Sequence, residues 1–406
     1  MNPDQPIALL GGVSPAAFMK TYWQRKPLLV RQAFPDFKPP LSKSALRKMS
    51  KRDDVESRLI WKEQGRWEME PGPFSSLPRI NEPDWTLLIQ SADIHDDACA
   101  DLLHEFRFMP DARLDDLMIS IATKGGGVGP HFDSYDVFLI QGQGRRLWRF
   151  GQQKNLDLVP DLPLKILQRF EPEEEFILEP GDMLYLPPQA AHDGIALDDD
   201  CMTLSVGFRA PDARMLACGM LEIAAEMTAE ANRPARPYRD PGLPATSQPA
   251  LIPDQLIKAA MQAAQSVKLD ESIATRFLGC WLTEPNRLAV FETIDPEEVD
   301  DLMADPTSSH AKRPGAAGQS HTSTKASLSA PSGKQWVLDR RSRMLYRGRE
   351  LFINGEHSGL KLEPGLAQLA DQRYLRFDSP AANKLSEDAL DALRIWVEDG
   401  WVKITH

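Results

Sequence analysis

Between Leu117 and Phe208 the apolar residues alternate in short runs, LMISIAT, HFDSYDVFLI, RRLWRF, EFILEP, MLYLPP and MTLSVGF, separated by glycine-rich or proline-rich turns. Period-two alternation broken this often predicts antiparallel strands of a barrel or sandwich. Ahead of these runs, Ser14-Pro15 followed by AAFMKTYW predicts a serine-capped helix with proline in its first turn, and Lys26 to Val30 predicts a strand. Past Pro211 the period becomes helical. Met215, Leu216, Met220, Ile223, Ala224 and Met227 form one apolar stripe, and further helices are predicted near 254–267 and 270–282. Arg233 to Pro249 is too rich in proline for regular structure and predicts a surface loop.

Residues 306–334 carry one large aliphatic residue, Leu328, among Ser, Thr, Ala, Gly, Pro, Lys and His, and so bury too little to offset the entropy of ordering. Beyond them, WVLD-RRSR-MLYR predicts a hairpin, Ser386 a cap for a helix bearing Leu390, Leu393, Trp396 and Val397, and WVKI a closing strand. The expected organisation is a barrel domain over 1–210, a helical region over 211–300, a flexible linker over 301–334 and a small, winged-helix-like α+β domain over 335–406. The overall class is α+β.

Composition narrows the partners. The 406 residues carry 59 acidic and 47 basic side chains, a formal charge of -12. That balance opposes non-specific binding to nucleic acid or to an anionic membrane and suits a basic protein or peptide. Direct nucleic-acid binding is not expected, and the cations Arg340, Arg341, Arg343, Arg347 and Arg349 are read as a solvated hairpin. Cys99, Cys201, Cys218 and Cys280 form no C-x-x-C pair, which fits a reducing cytoplasm. No stretch approaches the ~18 apolar residues of a membrane helix.

The chemistry is concentrated in two segments. In GGGVGPHFDSYDVFLI, His131 and Asp133 stand two apart at the expected start of a strand, where alternation puts both on one face. In EPGDMLYLPPQAAHDG, a Pro-Gly-Asp turn, a strand and a Pro-Pro bend lead to His192, which can meet the first pair across a barrel. Two imidazoles and a carboxylate on one side of an ion leave adjacent sites vacant, an arrangement suited to non-haem Fe(II) that takes a chelating cosubstrate and then O2. An H-x-D pair alone is more often a surface pair or a satisfied core histidine; the glycine approach and the second segment together change that balance. On the strand after the Gly142-Gln143-Gly144 turn, Arg146 shares the more apolar face with Trp148 and Phe150. A guanidinium there requires an anion, for which the distal carboxylate of 2-oxoglutarate is a candidate, although an internal ion pair satisfies it too. Ser120, on a face with Met118 and Ala122, could add a hydroxyl, and Tyr135 could line a substrate pocket or simply fill core.

DDLMISIATKGGGVGPHFDSYDVFLIQGQGRRLWRFG together with EPGDMLYLPPQAAH resembles the JmjC-fold ribosomal oxygenases, and within them the cupin-like bacterial ribosomal protein arginine hydroxylases. The likeness runs over nearly the whole chain and is weaker over YRDPGLPA and the C-terminal region. It implies a JmjC double-stranded β-helix over 1–210, Fe(II) held by His131, Asp133 and His192, and 2-oxoglutarate held by Arg146 and Ser120. It also implies a helical dimerisation region giving a homodimer, a winged-helix C-terminal domain, and a large-subunit ribosomal protein as substrate, hydroxylated at the β-carbon of an arginine. The linker is longer than the resemblance leads one to expect. Three alternatives remain open from sequence: a JmjC lysine demethylase, a small-molecule cupin that does not use 2-oxoglutarate, and a non-enzymatic scaffold.

Overall fold

A computed structural model describes residues 2–80, 82–230, 237–303 and 333–405. The linker expected over 301–334 lies almost wholly outside the described residues, as does the first part of the proline-rich stretch. The chain divides into two compact units, Met1–Ala210 with Asn286–Glu292 and Asp339–Arg341, and Pro211–Pro285 with Thr293–Leu338 and Ser342–His406.

In the first unit, α1 (Pro15–Thr21) starts on Ser14, whose hydroxyl accepts from the Ala17 amide, and proline opens its first turn. It is followed by β1 (Leu28–Val30), α2 (Lys43–Met49), β2 (Ser57–Glu63), β3 (Arg66–Pro71), β4 (Trp85–Ile89), α3 (Asp97–His104) and β5 (Leu114–Ala122). Then come β6 (Val137–Gln143), β7 (Arg146–Gly151), β8 (Glu174–Leu178), β9 (Met183–Leu186), β10 (Ala191–Ala196) and β11 (Cys201–Phe208). Eight strands form one antiparallel sheet in the order β1-β9-β6-β11-β5-β4-β2-β3, and β10-β7-β8 form a second. An aromatic core of Phe18, Trp23, Phe106, Phe138, Tyr185 and Phe208 lies against the larger sheet. Each such ring, removed from water, contributes roughly 2–3 kcal/mol.

The strands β5, β6, β7, β8, β9 and β11 fall where the sequence predicts them, and on β7, where burial alternates, Arg146, Trp148 and Phe150 are the buried face. The stretch from His131 to Asp136 departs from expectation. It is not a strand: His131 makes a single bridge to His192, and regular pairing starts only at Val137. The backbone there is held by other partners. The Asp133 carbonyl accepts from the Gln189 amide at 2.7 Å. The buried Asp136 carboxylate accepts from the Tyr185 hydroxyl at 2.6 Å and from Gln24 Nε2 at 3.0 Å. His192 in turn lies within β10, one strand that alternation did not reveal.

The second unit contains α4 (Ala213–Glu230), α5 (Asp254–Gln265), α6 (Glu271–Thr283), α7 (Pro296–Met303), β12 (Gln335–Leu338), β13 (Met344–Arg347), β14 (Glu350–Ile353) and β15 (Glu356–Lys361). It ends in α8 (Pro364–Gln372), β16 (Tyr374–Arg376), α9 (Glu387–Glu398) and β17 (Val402–Thr405). Ser386 caps α9 by accepting from the Ala389 amide, and Leu393, Trp396 and Val397 are buried. Gly219 on α4 and Gly279 on α6 allow the Phe277 and Phe352 rings to approach closer than any Cβ would permit. The expected WVLD-RRSR-MLYR hairpin is corrected here. β12 pairs with β16 and β17, whereas β13 pairs with β14. The turn that folds back lies at Arg347-Gly348-Arg349-Glu350, where Gly348 takes φ 59; RRSR has no residue suited to that conformation. The arginine cluster is not simply solvated either. Arg340 donates to Asp97, Arg341 lies beside Asp339, and Arg347 donates to Glu271.

Candidate metal centre

His131 and His192 face each other across a narrow antiparallel pair, with amide-to-carbonyl distances of 2.9 and 2.8 Å. Their rings come to 4.2 Å between centroids. Each Nδ1 lies 2.9 Å from a carbonyl oxygen, His131 from Gly129 and His192 from Ala190. Donation from Nδ1–H fixes the tautomer and leaves both Nε2 lone pairs free. Asp133 Oδ2 stands 3.6 Å from His192 Nε2, and the three ligand atoms lie within 4.8 Å of one another. Among the described residues this is the one group of three or more His, Cys, Asp or Glu side chains able to share an ion.

Burial, reinforced by His131, pushes the His192 pKa down to about 4, against a partial opposing pull from Asp133. The imidazole is therefore a neutral donor throughout the physiological range, the form a metal requires. A consequence concerns stability. An unfolded histidine titrates near 6.5, so below that pH the unfolded chain binds more protons than the folded one. Half-buried His95, with its pKa also pushed down to about 4 mainly by burial, acts in the same direction. The metal-free protein is expected to keep its full stability above pH 6.5 and to melt at progressively lower temperature as pH falls toward 4. Thermal melts across that range check this, and His192→Asn should flatten the decline; a Tm independent of pH would contradict it.

The three side chains line one cavity of about 650 Å³, together with Arg146, Ser120, Tyr135, Trp148, Asp115, Asp116 and Thr203 among others. Arg146 is only 4% exposed. Its Nη1 donates to the Gly194 carbonyl at 3.1 Å, while Nε and Nη2 are buried with no partner. A buried cation with two unsatisfied donors is costly unless an anion completes it. Among the described residues no carboxylate pairs with it, so the internal ion pair left open by the sequence is not formed there. The neighbouring Trp148 Nε1 is also buried and unpartnered. Ser120 lines the cavity as expected, but its hydroxyl is directed to the Thr203 carbonyl at 3.3 Å. Tyr135 is 39% exposed at the cavity's edge, and burial together with the Asp133 charge raises its pKa.

Asp116, which sequence reasoning did not single out, also lines the cavity. Gln90 Nε2, the Ser91 amide and the Ser91 hydroxyl all donate to its Oδ2, at 2.7, 2.9 and 2.9 Å. Oδ1 receives none of these bonds. Burial, with the neighbouring Asp115 charge, raises the Asp116 pKa. An acid in this state gains from a cation placed beside it.

The JmjC domain family profile matches residues 101–216, and that of the ROXA-like winged helix matches residues 266–403. A crystal structure of the Escherichia coli ribosomal oxygenase YcfD is 30% identical, with a TM-score of 0.70 over 95% of this chain and 97% of that one. The chain belongs to the JmjC ribosomal oxygenases. Another structure of that ribosomal oxygenase, described as a complex with cobalt and 2-oxoglutarate, matches with 29% identity and a TM-score of 0.70, again over 95% and 97% of the two chains. The ribosomal protein uL16 3-hydroxylase of Escherichia coli (strain K12) is 40% identical over 245 residues, which are 59% of this ribosomal oxygenase and 64% of that relative. No helix among the described residues is long and apolar enough to cross a membrane.

Proposed function

We propose that this ribosomal oxygenase uses Fe(II), 2-oxoglutarate and O2 to hydroxylate the β-carbon of an arginine in a large-subunit ribosomal protein. The observation that carries this reading is the buried guanidinium of Arg146, short of two partners, in the same cavity as a three-ligand group with unblocked Nε2 atoms. His131, Asp133 and His192 hold the iron. Bound there, it supplies the activation of O2 that is coupled to decarboxylation of 2-oxoglutarate to succinate. Arg146 grips the distal carboxylate of the cosubstrate, with Ser120 able to turn its hydroxyl from Thr203 to help. Trp148 and Leu139 keep that end of the cavity dry. At the other end Asp116 receives the substrate guanidinium, and Tyr135 forms a wall beside Asp133.

The catalytic barrel over 1–210 is joined by a helical region that pairs two copies. Leu256, Ile257 and Met261 of α5 and Met215, Leu221 and Met227 of α4 are exposed, and α5 buries no residue. A helix of this kind needs a partner to stabilise it. The setting is cytoplasmic, consistent with four free cysteines.

The substrate assignment is tested by incubating the protein with Fe(II), 2-oxoglutarate and large-subunit ribosomal proteins, followed by intact and fragment masses. A gain of ~16 Da on one arginine is expected. A lysine losing a methyl group would instead establish the demethylase alternative. Asp116→Asn is expected to reduce kcat/KM for the protein substrate roughly 10- to 100-fold, the range for one hydrogen bond to a charged group. Cosubstrate binding should be unchanged in that variant, which separates the two ends of the cavity.

A further inference from the structure

Residues 37–52, FKPPLSKSALRKMSKR, hold six cations and no acid in a chain whose net charge is -12. Part of this run lines a second groove, of about 700 Å³, built from Lys43, Arg47, Lys48 and Lys51 with Ser42, Ser44, Leu77, Ile80 and Gln143. No acid is among the lining residues. Asp200 touches the lining by accepting from Gln143 Nε2 at 2.7 Å. None of the four cations forms an ion pair with another described residue. Arg47 is set in place by donation from Nη2 to the Pro78 carbonyl at 2.9 Å and by its position 5.6 Å from the Trp85 ring, yet its Nη1 is buried without a partner. The groove is distinct from the metal cavity: Gln143 ends β6, and Val137, which lines that cavity, begins it. Six strand residues separate them by about 20 Å.

From this juxtaposition we infer that the groove binds the phosphate backbone of single-stranded RNA. Lys43 and Arg47 stand one turn apart on α2, about 6 Å, and Lys51 follows in the turn just past its end, so a linear polyanion can meet them in succession. The distant acids that make the whole molecule negative act weakly here, because at physiological ionic strength charges more than about 8 Å away are screened. The local field is positive, although net charge alone argued against nucleic-acid binding. The lining has no aromatic ring, so contact is with the backbone and independent of base sequence. The choice of RNA over DNA rests on the ribosomal-protein reading above, since such a substrate is accompanied by RNA. The groove itself does not depend on that reading.

Fluorescence anisotropy of a labelled oligouridylate with the full-length protein tests the proposal without any turnover, so its failure leaves the hydroxylase reading standing. Four neutralised phosphates give a log–log salt slope of about -2.8, or roughly a 50-fold loss of affinity between 50 and 200 mM salt. The triple variant Lys43→Gln, Lys48→Gln, Lys51→Gln is expected to lower affinity at least tenfold and reduce the slope to about -0.7, while 2-oxoglutarate binding is retained. Lys48→Gln alone, at an exposed position where folding is not at risk, should reduce the slope by about 0.7. Oligothymidylate is the arm that reads the sugar, and weaker binding is expected there. Polyglutamate of matched charge should displace the RNA poorly. The proposal is overturned by absence of RNA binding, by equal displacement by polyglutamate, or by an unchanged salt slope in both variants.

Discussion

Asp133→Ala is expected to abolish turnover and to weaken Fe(II) binding by at least about 100-fold, a larger loss than the 10- to 100-fold typical of residues that only support a ligand. Asp133 is the one anionic member of the group, so its removal leaves two neutral imidazoles with no charge to offset that of the ion. The fold should survive. The Asp133 carbonyl, not its side chain, accepts the Gln189 amide, and the exit of the segment is fixed by Asp136 through Tyr185 and Gln24. Metal titration alongside thermal melting checks both statements. Unchanged iron affinity in this variant would remove Asp133 from the site.

Arg146→Ala should have the next largest effect, on the cosubstrate and not on the metal. Loss of one side of a buried, hydrogen-bonded charge pair costs about 3–5 kcal/mol, equivalent to roughly 100- to 5,000-fold in the Kd for 2-oxoglutarate. Arg146→Lys should recover only part of this, since an ammonium cannot reproduce the two-pronged contact. Because Nε and Nη2 are unsatisfied before the anion arrives, the alanine variant should melt no lower than the parent in the absence of 2-oxoglutarate. Calorimetric titration and melts with and without cosubstrate separate these effects. Equal affinity for 2-oxoglutarate in parent and alanine variant would favour a small-molecule cupin.

The metal group was legible because its residue types, glycine approach and Pro-Pro bend are all written locally, even though the strand geometry invoked to bring His131 and Asp133 together does not exist. Convergence comes instead from the bridge to His192 and from carbonyl anchors, neither of which has a sequence signature. The burial of Arg146 beside Trp148 and Phe150 was legible because β7 follows alternation faithfully. Asp116 was missed although the signal was present. It lies two residues before Met118, on the face already assigned to Ser120, but an acid next to Asp115 reads as a solvated pair until burial is known. The β2–β3 hairpin escaped for a different reason. Its two-residue turn, Gln64-Gly65, has φ of 50 and 83, and glutamine in that conformation is too uncommon to serve as a turn signal.

His131, Asp133 and His192 would hold the iron and Arg146 the far carboxylate of 2-oxoglutarate, so metal and cosubstrate should bind as a pair. An anaerobic titration of the Fe(II)-loaded protein with 2-oxoglutarate, followed through the visible absorption of the iron–keto acid chelate, tests this most directly. The expected result is a band that saturates at one equivalent, requires the metal, and is lost at the same cosubstrate concentration in Arg146→Ala. Binding of 2-oxoglutarate with equal affinity in the presence and absence of iron, without any such band, would contradict it.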